Sequence, residues 1–184
     1  MAASGIISEV QEKWRTLIAS TNAFQTWKDG QTWDLTEALE HVHHDQLPDP
    51  EDGNAYTADE LELYLPLCVV WTAYQRGFTL QVEADSDSYY PTGQLVAEFY
   101  RIPDLKIDPN PDETFRNWLG ELLQSGDTDN PGMVELARQS GKTISYLVPS
   151  RLTVHGPIET DPKEDPQLGR VQIARIECDW PANP

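Results

Sequence analysis

The densest set of metal-binding side chains in the sequence is Glu40-His41-Val42-His43-His44-Asp45. On a helix, His41 would share a face with His44 and Asp45 at a spacing able to chelate zinc or manganese. The metalloprotease order His-Glu-x-x-His is absent. Imidazoles late in a helix are also favoured by its dipole and its unpaired carbonyls, so His41, His43 and His44 read first as a surface helix end. Gly141-Lys142-Thr143 ends like a phosphate loop, but the glycine required five residues earlier is Leu136, and a strand-like run follows where a helix is needed. Asp85-Ser86-Asp87-Ser88 and Asp127-Thr128-Asp129-Asn130 hint at calcium. A calcium loop starting at Asp127 would put Pro131 at its fifth position and Arg138 where a bidentate glutamate belongs, so it fails. There is no Gly-x-Ser-x-Gly nucleophile motif, neither cysteine has its own histidine partner, and His155 beside Gly156-Pro157 reads as a loop-mouth histidine. With 31 acids in 184 residues, carboxylate pairs arise by chance. The expectation is therefore no catalytic residue, no cofactor, no metal and no enzyme.

What remains is a contact chemistry. The run Ala84 to Gly93 holds Tyr89 and Tyr90 at a polar hairpin tip longer than a tight turn requires, which marks it as a candidate contact loop. Tyrosines supply contact area at low entropic cost. Packing of Tyr89 and Tyr90 across their own hairpin is the alternative.

The elements that must position this tip follow from periodicity. Ile6, Ile7, Val10, Trp14, Leu17 and Ile18 form one apolar stripe on a helix from about Gly5 to Ala23. A turn around Asp29-Gly30 leads to a second helix over 35–44, capped by Asp34 or Thr36. Within Leu61 to Tyr74, Leu67 to Trp71 reads as a strand buried on both faces. Phe78 to Glu83 and Gln94 to Ile102 form a hairpin. Asp112 is expected to cap a helix carrying Phe115, Trp118, Leu119, Leu122 and Leu123, stopped by Gly126, and Met133 to Ser140 adds a short helical turn. Strand-like runs over Thr143 to His155 and Arg170 to Trp180 close the chain, the first interrupted at Pro149 by a bulge or bend. The fold class is α+β: a mostly antiparallel four- to five-stranded sheet with a long hairpin, packed against amphipathic helices on one face.

Composition bounds the rest. Thirteen Lys and Arg against 31 Asp and Glu give a net charge of −18. That acidity argues against gripping nucleic acid, whose affinity comes largely from Lys and Arg. Hydrophobic residues at 39%, with six Trp, suffice for one core, so residues 1–184 read as a single domain with extended loops at 45–60, 84–93 and 157–168. No run approaches the roughly 20 apolar residues of a membrane helix, and Met1 to Gly5 has neither the basic flank nor the apolar run of a signal peptide, so synthesis and residence in the cytoplasm are expected. Cys68 and Cys178 read as buried free thiols.

The order of these elements resembles a known family. An amphipathic helix ending in Ala23-Phe24-Gln25-Thr26-Trp27, a short helix with Ala38, His41 and His43, the strand Pro66 to Trp71, the hairpin phrase Ser88 to Phe99 with its Pro91-Thr92-Gly93, a helix with Trp118-Leu119, and closing strands with His155-Gly156-Pro157 and Arg170 to Ile176 look like the tail terminator (tail completion) proteins of long-tailed phages and prophages. The likeness covers about Ile6 to Trp180, and the loops at 45–60 and 157–168 are larger than the family pattern requires. It implies a structural virion protein: a ring, six-membered in the family, capping the tail tube and joining it to the head-side neck. The implied partners are further copies of the chain, the tail tube protein and a neck or adaptor protein. DNA would pass through without specific binding, and assembly would occur in the bacterial host cytoplasm. Another head–tail adaptor, a metal-dependent enzyme built on His41, His44 and Asp45, and an acidic DNA-mimic inhibitor are the alternatives.

Overall fold

The structure, a computed structural model, describes residues 3–28, 30–45, 64–72, 79–82, 89–104, 106–139, 148–155 and 171–180. Of the expected loops, 157–168 and, apart from Asp45, 45–60 lie outside the described residues, as does Gly141-Lys142-Thr143.

Helix α1 spans Ala3–Ala19, and its Trp14, Leu17 and Ile18, three and four residues apart, are all buried. The helix expected to continue to Ala23 breaks at Ser20 and Thr21. The buried Thr21 hydroxyl donates to the Ile18 carbonyl at 2.8 Å and accepts from Phe24 N at 3.3 Å, so it caps a new helix, α2, over Asn22–Gln25. Helix α3, Leu35–Glu40, starts at Asp34, whose carboxylate and the Glu37 side chain form a reciprocal capping box.

The second helix was expected to run through His44. It stops at His41 instead, and Val42–His44 form strand β1, parallel to β2 (Leu67–Thr72) with Val42 opposite Cys68 and His44 opposite Val70. Cys68 N donates to the His41 carbonyl at 2.8 Å and Asp45 N to the Val70 carbonyl at 2.9 Å. This pairing with a buried strand outweighs the weak local helical preference. Arg15 of α1 fixes the junction: Nη2 donates to the Leu39 carbonyl in the last turn of α3 at 2.6 Å, and Nε to the Val42 carbonyl at the start of β1 at 2.7 Å.

The remaining strands are β3 (Thr79–Val82), β4 (Tyr89–Arg101), β5 (Val148–His155) and β6 (Gln172–Trp180). The sheet order is β1-β2-β4-β6-β5, with β3 also on β4, and every pairing except β1 with β2 is antiparallel. The fold is thus α+β with a mostly antiparallel sheet, and β1 makes the described strands six instead of the expected four or five. The register of β5 on β6 shifts between Pro149 and Arg151, as a proline inside a strand requires.

Two further helices, α4 (Pro111–Leu123) and α5 (Met133–Gln139), complete the layer on one face of the sheet. Asn110 with Pro111 behind it begins α4, so Asp112 is not the cap. Asp112 lies in the first turn and accepts from Nε2 of the buried Gln172 at 2.6 Å, tying α4 to β6. Gly126, expected to stop the helix, follows its end at Leu123 and takes φ +71°.

The main core lies between these helices and one sheet face. The register aligns Cys68, Phe99 and Ala174 across β2, β4 and β6, then Val70, Ala97 and Ile176, and all six are buried. Cys68 is a buried free thiol, as expected. Phe99 meets an aromatic array: its ring centroid is 5.4 Å from Trp118 and 5.9 Å from Trp27, which stacks on Trp118 at 4.3 Å. Trp118 Nε1 donates to the Ala23 carbonyl at 2.9 Å, joining α4 to α2.

Replacing Trp118 separates packing from the hydrogen bond. W118A should lose about 3 kcal/mol of stability through cavity formation, and W118F about 1 kcal/mol through the unpaired Ala23 carbonyl. Urea titration of both variants checks this, and equal losses would contradict it.

Candidate functional site

The contact residues expected from sequence, Tyr89 and Tyr90, lie on β4, not in a loop. Tyr89 to Thr92 pair with β3, in register Val82 opposite Tyr89 and Gln81 opposite Tyr90. From Gly93 onward, β4 pairs with β6, and from Leu95 to Tyr100 it also pairs with β2. Aromatic and β-branched residues at 89, 90 and 92 favour strand, which shortens the expected loop over 84–93 from its C-terminal side.

The consequence is an arm. Beyond the Gly93–Trp180 pair, β4 continues with β3 alone among the described residues, as a two-stranded ribbon carried past the main sheet. A two-stranded ribbon in isolation is at best marginally stable in water and gains from packing on another surface. Pro91 lacks an N–H, which a strand tolerates where one edge stays unpaired. Adjacent strand positions belong to opposite faces, so positions 89 and 90 sit on opposite faces of the ribbon.

The sheet face away from the helices carries a polar pair that sequence reasoning missed. Arg175 Nε donates to Glu98 Oε1 at 2.8 Å, Arg175 Nη2 donates to the same oxygen, and the Tyr100 hydroxyl donates to Glu98 Oε2 at 2.8 Å. The Arg175 guanidinium also lies 5.3 Å from the Trp71 ring centroid. Both carboxylate oxygens are therefore engaged, and the group is a strut joining β4 to β6. Burial, then the bond to Glu98, push the Tyr100 phenol far above its ordinary range. Beside it, Leu65, Leu67 and Val69 form a second buried cluster with Trp71 and Ile102, so β2 is buried on both faces as its apolar run predicted. Glu98 and Arg175 are 77 residues apart, and only the register that sets them opposite one another reveals the pair.

The histidines separate. His41 stacks on Trp33 at 4.0 Å, and its Nδ1 lies 3.1 Å from the Pro66 carbonyl and 3.3 Å from that of Tyr64. Carbonyls only accept, so Nδ1 carries the hydrogen. His43 and His44 alternate along β1. His44 Nε2 is 3.0 Å from Glu12 Oε2 but, though buried, makes no well-aligned hydrogen bond. Asp45 accepts from Gln11 Nε2 at 3.0 Å. The helical face that would have gathered His41, His44 and Asp45 does not form. Among the described residues, no three His, Cys, Asp or Glu side chains are grouped to hold a metal ion. Asp127 spends its carboxylate on Asp129 N and Asn130 Nδ2, both at 2.9 Å, and these bonds hold its pKa below the usual range. The side chain of His155 lies outside the described residues, as do those of Tyr89 and Tyr90.

Compared with known proteins, no family model matches the chain and no curated protein matches it in sequence.

Burial lowers the pKa of both His41 and His43 from 6.5. A depressed histidine keeps the folded chain less protonated than the unfolded one, so this stability is complete above pH 6.5 and lost as the pH falls from there through the folded-state values. Between about pH 7.5 and about pH 5.5, H41N/H43N should lose less melting temperature than the unsubstituted chain. An equal or larger loss in the variant would refute the assignment.

Proposed function

We propose that this chain is a structural virion protein of the tail-terminator type: a ring of copies, six in the resembled family, that caps the tail tube and joins it to the head-side neck. The observation that carries the reading is the β3–β4 arm. It sets Tyr89 and Tyr90 on the two-stranded stretch beyond the Gly93–Trp180 pair, and such a ribbon gains stability by packing on a neighbour. A ring requires a heterologous interface in which one surface of a protomer meets a different surface of the next, and an arm is a suitable donor. Contact, not bond-making, is then the protein's chemistry. The tail tube protein and a neck or adaptor protein are its other partners, and the virion neck, assembled in the host cytoplasm, is its location.

The net charge of −18 suits the role. Carboxylates around a conduit repel the DNA backbone, so the genome passes without sticking. No helix of the described residues is long and apolar enough to cross a membrane.

The double variant Y89S/Y90S tests the arm. Joining of heads to tails in a lysate lacking the native protein should fall at least about tenfold, the equivalent of about 1.4 kcal/mol of contact energy, while the melting temperature stays within about 2 °C. Full joining activity in a folded variant would remove the contact role. Loss of the fold would show instead that the tyrosines pack within their own hairpin.

A further inference from the structure

No further inference is drawn: the strongest candidate, the cleft of about 980 Å³ at the Arg101 end of β4, lined in part by Trp27, Lys28, Pro66, Lys106 and Ile107, carries nothing, because nothing in the structure shows what covers it.

Discussion

The register of β4 is the constraint on which the rest depends. Its 13 residues pair with three other strands, and its side chains alternate between two kinds of environment. Leu95, Ala97 and Phe99 enter the helix-side core, while Val96, Glu98 and Tyr100 belong to the opposite face. A slip by one residue would place Glu98 against Trp27 and Trp118 and leave Arg175 without its carboxylate. The half-buried partners of Glu98 therefore act against the wrong register as much as for the right one, because moving that carboxylate unpaired into the core is severely unfavourable.

The helices depend on the same strand through arginines and indoles. Arg101, at the end of β4, donates to Gln172 Oε1 at 2.9 Å and to the Pro111 carbonyl at 2.6 Å, and its guanidinium lies 4.6 Å from the Phe115 ring centroid. That one side chain links β4, β6 and the start of α4. Trp118 and Trp27 then carry the connection to α2. At its other end, beyond the Gly93–Trp180 pair, β4 pairs with β3 alone among the described residues.

The fold was legible where local pattern and tertiary environment agree. The stripe Trp14, Leu17 and Ile18, the two-faced burial of Leu67 to Val70 and the irregularity at Pro149 follow from spacing, apolar runs and the missing proline N–H. It was not legible where a distant partner decided a short segment. Val42 to His44 has the composition of a helix end, and only β2 and the Arg15 bonds make it a strand. Thr21 broke a continuous apolar stripe with one buried hydroxyl. Of the contact site, the hairpin was evident from alternation. That Tyr89 and Tyr90 lie within β4 depends on cross-strand pairing that no window of sequence displays. The Glu98–Arg175 pair brings together residues far apart in the chain and leaves no local signature.

The central claim is that this protein sits where a phage head meets its tail. Negative-stain microscopy of particles from the source lysate, labelled with gold-conjugated antibody to this chain, tests it most directly. The account predicts gold confined to the junction between head and tail. Unlabelled particles, with the protein left in the soluble fraction, would contradict it.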